Sequence, residues 1–315
     1  MFYALVFGLS ACGQECGGMK GPVCVDASPF VRLDDTGTDP HPFYSSAGGW
    51  TEVTTAWWHT CGVERGGAVR CWGADDNGET DVPDNGQSYH GLSAGWFDTC
   101  GISSGGFLCW GGSGGLGVFS GSPHALSAGA YTVCQREESG QVTCVALASP
   151  GGQHGQSDAP EGSFRDVSAG QIHTCAVDSA SSVQCWGAGK GEGGEYDFGQ
   201  STPPVGTFVQ VSAGDWHTCA VMTDSSVVCW GNDTAGQASP PAGEFVQVSA
   251  GHWHTCALDT AGAIHCWGND DSGQCRPPTG TFTQVTSGGD HACALDTDGV
   301  VHCWGDNADG QVMPP

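Results

Sequence analysis

Basic residues are scarce in this chain. Lysine and arginine together number 8, against 34 aspartate and glutamate residues, and the formal net charge at pH 7 is -26. Such a surface repels phosphate groups and anionic lipid head groups, because attraction to them requires clustered basic side chains. The composition therefore argues against nucleic-acid binding and leaves a covalent lipid anchor as the route to a membrane.

Helical periodicity and long apolar runs are also missing. No stretch sustains a period of 3.6 residues, and no segment approaches the roughly 20 apolar residues of a membrane-spanning helix. Glycine is abundant instead, with 53 residues, and alternating segments such as FVQVS at 245–249 are typical of strands. These features predict an all-β fold of many short strands joined by tight turns.

The first residues are predicted to direct export. Residues 1–9 are apolar, and the following sequence LSAC, which ends at Cys12, resembles the lipobox of bacterial lipoproteins. We expect a signal peptide and lipobox at 1–12, lipidation of Cys12, and a bacterial outer-membrane lipoprotein or a secreted protein. The apolar run is short and lacks a preceding basic residue, so a ragged apolar N-terminus is the alternative. Residues 13–43 are rich in Gly, Pro and Asp and are predicted to be a flexible tether.

A repeat of roughly 40 residues fills the rest of the chain. Seven units begin near Val53, Leu92, Leu126, Val167, Val211, Val248 and Val285. Each contains a hairpin signal, in which two alternating segments flank a short turn. The last unit ends without its Gly-x-Phe-x-x-Val segment, and residues 48–53 carry a matching segment before the first unit. We therefore predict one closed, seven-bladed β-propeller over 44–315, in which segment 48–53 completes the seventh blade.

Each unit carries two cysteines at a regular spacing. The pairs are Cys61 and Cys71, Cys100 and Cys109, Cys134 and Cys144, Cys175 and Cys185, Cys219 and Cys229, Cys256 and Cys266, and Cys293 and Cys303. Six pairs are ten residues apart, and the second pair is nine apart with a turn one residue shorter, as opposed positions in a hairpin require. We predict one cross-strand disulfide per blade, formed in an oxidising compartment.

Zinc is the alternative reading of these cysteines. Structural zinc sites usually contain a short Cys-x-x-Cys knuckle, which the pairs lack, and two units have no histidine beside the first cysteine. Disulfides are therefore favoured. The partners of Cys16, Cys24 and Cys275 stay open: the first two can staple the tether, and Cys275 is either free or bonded to a tether cysteine.

One position between two predicted strands is aromatic in five of the seven units. In chain order it holds Trp58, Phe97, Tyr131, Ile172, Trp216, Trp253 and Asp290, and the preceding position adds Trp57 and Trp96. Propeller symmetry places these residues in a ring on one face. A core position would rarely accept both Trp and Asp, so we interpret the aromatic residues as a candidate binding surface. Packing of each aromatic side chain into its own blade is the alternative.

Other repeated residues resemble catalytic or metal-binding groups. Ser93 lies in a Gly-x-Ser-x-Gly pattern typical of hydrolase nucleophiles, but the same serine recurs in four further units. Acidic loops such as 75–77 offer Ca2+ ligands, although the spacing is not that of an EF-hand and Asp and Asn are ordinary turn residues. We therefore predict no enzyme activity and no cofactor, with Ca2+ as the one alternative.

A histidine recurs at one position of five units. These residues are His59, His173, His217, His254 and His291. A catalytic base is not needed five times. We expect a structural side chain that bonds the turn of its own blade.

The repeat resembles the RCC1 repeat. The pattern Gly-x-x-His-[Thr/Ser]-x-Ala-Leu-x-x-x-Gly-x-Val-x-x-Trp-Gly-x-Asn-x-x-Gly-Gln stands, with single-position lapses, at 214–237, 251–274 and 288–311. The resemblance covers about 48–315. The third unit departs most, with Val-Ala after Cys144 in place of Trp-Gly, and the fourth carries an extra loop at 189–200.

The short units are most similar to those of secreted bacterial members of this family. The resemblance implies a seven-bladed propeller with a structural histidine and a partner-binding surface at the aromatic positions. We therefore expect an exported, surface-anchored monomer that binds a protein partner, with a structural envelope lipoprotein and a glycan-binding propeller as alternatives. Export and acidity disfavour the nucleotide exchange that eukaryotic members perform on a small GTPase.

Overall fold

The computed structural model describes residues 30–32, 43–112, 118–119, 123–147, 153–191 and 196–315. The regular elements of these residues are short β-strands, arranged in seven antiparallel sheets. None of the described elements is a helix of the length and apolar character needed to cross a bilayer. The all-β, seven-bladed architecture predicted from the repeat is confirmed.

Each blade is built from three consecutive strands, numbered here along the chain. The first strands are β3 (Trp50–Thr55), β6 (His90–Ala94), β10 (Pro123–Ala128), β13 (Phe164–Ala169), β16 (Phe208–Ala213), β19 (Phe245–Ala250) and β22 (Phe282–Ser287). The second strands are β4 (His59–Glu64), β7 (Asp98–Ser103), β11 (Thr132–Glu137), β14 (His173–Asp178), β17 (His217–Met222), β20 (His254–Asp259) and β23 (His291–Asp296). The third strands are β5 (Val69–Gly73), β8 (Gly106–Gly111), β12 (Val142–Ala146), β15 (Val183–Gly187), β18 (Val227–Gly231), β21 (Ile264–Gly268) and β24 (Val301–Gly305). Three short strands are added: β1 (Phe30–Arg32), β2 (Phe43–Ser45) and β9 (Val118–Phe119).

The hydrophobic core lies between neighbouring blades. The first strand alternates apolar and polar residues, so that Phe245 and Val248 of the sixth blade are buried against Val221 and Cys219 of the fifth. Burying one such Phe or Val side chain contributes about 1.5–3 kcal/mol. Since equivalent clusters recur between the other blades, each blade is stabilised mainly by its neighbours.

The cysteine pairs lie directly opposite each other on the second and third strands. Cys256 is in register with Cys266, and Cys100 with Cys109, although the latter pair has the shorter turn. All seven predicted disulfides are present, with Cα atoms 4.0–4.1 Å apart. One disulfide per blade is therefore confirmed.

The ring closes through an N-terminal strand, as predicted, but through a different segment. Tyr44 and Ser45 of β2 pair with Cys303 and His302 of β24, which extends the seventh blade. Residues 48–53 lie instead in the first blade, where β3 pairs with β4. The assignment of 48–53 to the seventh blade was wrong because the Phe-x-x-Val segment begins each sheet, next to the axis, and does not end it.

The repeated serine joins one first strand to the next. Ser212 Oγ accepts a hydrogen bond of 2.9 Å from the backbone N–H of Ala250, and Ser93 Oγ accepts one of 2.8 Å from that of Ala128. A Ser or Thr hydroxyl does the same at the other five junctions. The hydroxyl that resembled a nucleophile is therefore part of the ring's hydrogen bonding.

Candidate binding face and axial pocket

The loop between the first and second strand of every blade carries two adjacent variable positions. The inner position, nearer the axis, holds Trp57, Trp96, Ala130, Gln171, Asp215, His252 and Gly289. The outer position holds Trp58, Phe97, Tyr131, Ile172, Trp216, Trp253 and Asp290. The seven loops follow the same ends of the first strands, so together they form one face of the ring, called here the loop face. The aromatic residues singled out in the sequence all lie on it.

The aromatic side chains of the first three blades touch one another. The ring centroids of Trp57 and Trp96 are 3.7 Å apart, and Trp57 stacks on Trp58 at 4.6 Å. Phe97 lies 5.8 Å from Trp58, and Tyr131 lies 5.9 Å from Trp96. All five side chains are half-buried. They form a continuous surface, called here the aromatic patch.

A second aromatic cluster surrounds Trp216 on the fifth blade. Tyr196 stacks on the Trp216 ring at 5.4 Å, and Phe198 approaches the same ring edge-on at 5.8 Å. Tyr196 and Phe198 are 43% and 42% exposed, which is unusual for large aromatic side chains. Sequence analysis missed both residues, although they lie in the extra loop of the fourth unit. The presence of two aromatic residues in an inserted loop was the sequence feature that could have identified them as candidate binding residues.

The remaining outer positions differ in environment. Trp253 is half-buried and contacts the ring of His252 at 4.8 Å. Ile172 is buried, and Asp290 is half-buried. The predicted ring is therefore uneven, with aromatic surface on blades one to three and around blades five and six.

Small residues line the axis beneath the loop face. The last residue of each first strand and the glycine or alanine after it surround a cavity of about 80 Å3, called here the axial pocket. Four larger inner-position side chains close around it: Trp57, Trp96, Asp215 and His252. Gly289 completes this layer, since a Cβ atom there would lie 1.7 Å from Trp57 Cδ1. Only glycine leaves room for the Trp57 indole.

Hydrogen bonding crosses the axial pocket from one side of the ring to the other. Trp96 Nε1 of the second blade donates to Asp215 Oδ1 of the fifth at 3.3 Å. His252 Nε2 lies 3.7 Å from Asp215 Oδ2, beyond hydrogen-bond distance. The rings of Trp57 and His252 pack nearly perpendicular to each other, with their centroids 4.8 Å apart. Residues far apart in sequence thus form one polar and aromatic layer.

Burial controls the charge of this layer. It raises the pKa of Asp215 to about 7; the Trp96 hydrogen bond partly offsets the rise, and the Asp290 carboxylate adds to it. Burial lowers the pKa of His252 to about 4, so that its ring is neutral at pH 7. Burial and the carboxylates of Asp306 and Asp271 raise the pKa of Asp290. At pH 7 this layer therefore holds a neutral histidine and, at Asp215, a carboxyl group close to its own pKa.

Four of the five repeated histidines, His59, His173, His217 and His291, bond a threonine of the next blade, which corrects the expectation that each bonds its own turn. His217 Nε2 lies 2.8 Å from Thr255 Oγ1, and His173 Nε2 lies 2.8 Å from Thr218 Oγ1. The prediction failed because the second strands of adjacent blades approach each other, which the repeat alone does not reveal. Burial lowers the pKa of His217 to about 3, so the ring is a neutral hydrogen-bonding group.

The acidic loops mainly bond within themselves. Asp75 Oδ1 accepts a hydrogen bond of 2.9 Å from the Thr80 N–H, and Asp270 Oδ1 one of 3.0 Å from the Cys275 N–H. Among the described residues, no group of three or more His, Cys, Asp or Glu side chains is placed to hold a metal ion. These carboxylates stabilise turns.

The other cysteines fall into two groups. Cys275 is a free thiol whose Sγ donates to the Asn269 carbonyl oxygen at 3.1 Å, and burial raises its pKa to about 12. Cys12, Cys16 and Cys24 lie outside the described residues, as do the signal peptide and most of the tether.

A protein-family model matches three consecutive repeats. The model is described as the regulator of chromosome condensation (RCC1) repeat, and it matches residues 208–237, 245–274 and 282–311. Each match begins at the first strand of a blade, in agreement with the blade boundaries above. No curated protein sequence matches the chain significantly.

Solved structures of similar fold include receptor ectodomains and a yeast RCC1 protein. The CRINKLY WD40 ectodomain of the Arabidopsis thaliana receptor kinase ACR4 is 24% identical, with a TM-score of 0.66 over 85% of this chain and 99% of that one. The ectodomain of the Physcomitrella patens receptor kinase CR4 is 24% identical, with a TM-score of 0.65 over 82% and 74%. Prp20p from Saccharomyces cerevisiae is 15% identical, with a TM-score of 0.62 over 84% of each chain. At these identities the likeness concerns the fold.

Proposed function

Since this chain is a seven-bladed β-propeller with RCC1 repeats, we propose that it is a protein-binding module whose contact surface is the loop face. The observation that carries the proposal is the aromatic surface on this face. The aromatic patch joins three blades, and two exposed aromatic side chains flank Trp216. Half-exposed Trp and Tyr side chains are typical anchors of protein interfaces.

Other RCC1-like propellers support this choice. Yeast RCC1 (Prp20) has been solved bound to Kap60, and Prp20p is described with binding properties to Gsp1p and histones. We propose binding over catalysis for the present chain because the serine and histidine that recur in its blades are used in hydrogen bonds between blades. The proposed partner is a protein. The net charge of -26 argues against nucleic acid.

We propose that the module works outside the reducing cytosol. Seven disulfides are typical of proteins made in an oxidising compartment. Two of the similar structures are receptor ectodomains. The finer proposal is a bacterial monomer, secreted or held at the outer membrane by a lipid on Cys12.

The test is affinity capture with the oxidised full-length protein against surface and secreted extracts. The variant Trp216→Ala/Trp253→Ala removes two outer-position anchors, and Tyr196→Ala/Phe198→Ala removes the exposed pair. We expect each to lower capture of a specific protein at least about tenfold, because truncating one interface anchor costs about 2 kcal/mol or more. The thermal unfolding midpoint of Tyr196→Ala/Phe198→Ala should stay near that of the wild type.

A matched control lies at the opposite end of the first strands. Val209 and Val246 are exposed apolar residues near the starts of β16 and β19, so Val209→Ala/Val246→Ala should leave capture unchanged. Equal losses of capture and stability in the tryptophan variant would contradict the proposal. A positive glycan array with no captured protein would favour glycan binding, and no ligand of either kind would favour a structural envelope role.

A further inference from the structure

One buried carboxylate oxygen on the axis has no hydrogen-bond partner in the described part of the chain. Asp215 is only 8% exposed, and its Oδ1 accepts the Trp96 indole N–H, but no donor among the residues that the structure describes reaches its Oδ2. His252 Nε2 lies 3.7 Å from this oxygen, beyond hydrogen-bond distance. A buried carboxylate oxygen normally has a donor, because desolvation without one is costly. The vacant acceptor therefore points to a donor that binds there.

The surroundings favour a donor that carries a positive charge. The described residues that line the axial pocket include no lysine or arginine, and burial keeps His252 neutral at pH 7. The Asp290 carboxylate lies close enough to raise the pKa of Asp215, so a second negative charge acts on the pocket. A bound cation would donate a hydrogen bond to Asp215 Oδ2 and would also offset the repulsion between the carboxylates of Asp215 and Asp290.

The walls of the pocket suit an organic cation. The indoles of Trp57 and Trp96 line the pocket together with Asp215 and give it apolar walls beside the carboxylate, where an alkyl chain can pack. The cavity of about 80 Å3 is several times larger than the roughly 10–15 Å3 that one water molecule needs, so it has room for a small organic group. A divalent metal fits poorly, since calcium and magnesium prefer six or more oxygen ligands and one carboxylate lines this pocket.

The free oxygen also distinguishes between ammonium and guanidinium. Guanidinium groups bind best through two parallel hydrogen bonds to both oxygens of a carboxylate. Asp215 Oδ1 is occupied by Trp96, so one oxygen is left. A compact ammonium group needs only that one.

We propose that the axial pocket binds a primary alkylammonium group, which donates to Asp215 Oδ2 within the layer formed by Trp57, Trp96 and His252. The group is either the side chain of a lysine presented by another molecule or a free alkylamine. The pocket lies at the centre of the loop face, but this inference stands on the pocket alone and does not require the aromatic patch to bind a protein.

The experiment is isothermal titration of the oxidised full-length protein at pH 8, where Asp215 is charged, and at constant ionic strength. The probes are n-butylammonium chloride and Nα-acetyl-lysine methylamide. Their neutral counterparts are n-butanol and Nα-acetyl-norleucine methylamide. We expect saturable binding of one or both ammonium probes, and at least about tenfold weaker binding of the neutral ones. Binding of n-butylammonium alone identifies a free amine as the ligand, and binding of the lysine amide identifies a lysine side chain.

The variant Asp215→Asn keeps the shape of the side chain and removes its charge, so we expect it to bind the ammonium probe at least about tenfold more weakly. Asp224→Asn is the control, because Asp224 is exposed and lies in a hairpin turn away from the axis. Equal binding of charged and neutral probes by the wild type, or no saturable binding, would overturn the proposal even if Asp215→Asn failed to fold. Neither result would affect the capture experiment, whose variants change the two pairs Trp216/Trp253 and Tyr196/Phe198 and leave Asp215 in place.

Discussion

His291 and Thr60 lie 231 positions apart in the sequence, and their side chains share a buried hydrogen bond of 2.9 Å. The Thr60 hydroxyl also donates to the Gln311 carbonyl oxygen at 2.9 Å. Because a hydroxyl has a single proton, His291 Nε2 must be the donor to Thr60. This bond joins the seventh blade to the first in the same way that His217 and Thr255 join two internal blades.

Removing the Thr60 hydroxyl should weaken ring closure. We expect Thr60→Val to lower the free energy of unfolding by roughly 1–3 kcal/mol, because it leaves a buried imidazole N–H and the Gln311 carbonyl without this partner. Thr255→Val should cost about the same, since its junction has the same bonds. Denaturant unfolding under oxidising conditions measures both. Thr207→Val is the exposed control, and a cost for Thr60→Val no larger than for this control would refute the role assigned to the bond.

Among the five junctions that begin with a repeated histidine, one lacks the hydroxyl and can be repaired. His254 faces the seventh blade, where Ala292 occupies the position that holds Thr60 in the first. We expect Ala292→Thr to raise the free energy of unfolding by about 0.5–1.5 kcal/mol, through a new hydrogen bond to His254. Ala294→Thr is the matched control on the same strand, and it should destabilise, because Ala294 is fully buried without a facing histidine. If both variants destabilise equally, the repair argument fails.

Each disulfide should contribute measurably to stability. Cys256 and Cys266 close a loop with a separation of ten residues. Their replacement by alanine should lower the free energy of unfolding by about 3 kcal/mol, because the unfolded chain gains conformational freedom. Denaturant unfolding without reductant tests this against Cys275→Ser, a free thiol whose loss should matter much less. A cost below about 1 kcal/mol would show that the bridge stabilises little.

The axial carboxyl should make stability depend on pH. Burial raises the pKa of Asp215 from 3.8 in its ordinary state to about 7 in the folded protein. Between these values the folded state holds a proton that the unfolded state has lost, so this residue lowers stability as the pH rises from 4 to 7. The free energy of unfolding of Asp215→Asn, measured relative to that of the wild type, should therefore rise by up to roughly 1.4 kcal/mol for each pH unit between pH 4 and pH 7. Above pH 7 the difference between the two proteins should stay constant.

Unfolding midpoints at low salt between pH 4 and 8 give that difference. His252 and Asp290 act on Asp215 from neighbouring loops and remain in both proteins, so their own titration largely cancels. Asp224→Asn serves as the exposed control. A difference between Asp215→Asn and wild type that does not change with pH would mean that the carboxyl has an ordinary pKa.

Local sequence was sufficient for the parts of the fold that lie within one repeat. When two cysteines lie opposite each other in a hairpin, their separation in the sequence changes with the length of the turn. Each disulfide could therefore be predicted from its own repeat, including the one between Cys100 and Cys109, whose turn is shorter. The positions that hold Trp58 and Trp216 were also predictable as loop positions, because the alternation of apolar and polar residues in the first strand ends just before them.

Contacts between repeats were decided by the closed ring. The sequence by itself determined seven units, their hairpins and their disulfides, since these depend on residues about ten positions apart. Only the tertiary structure decided that four of the histidines bond the next blade, that Tyr196 stacks on Trp216, and that Trp96 meets Asp215, 119 positions away. The physical reason is that the closed ring gathers inner positions of distant blades around one axis, where residues of blades that are not neighbours come within hydrogen-bond distance.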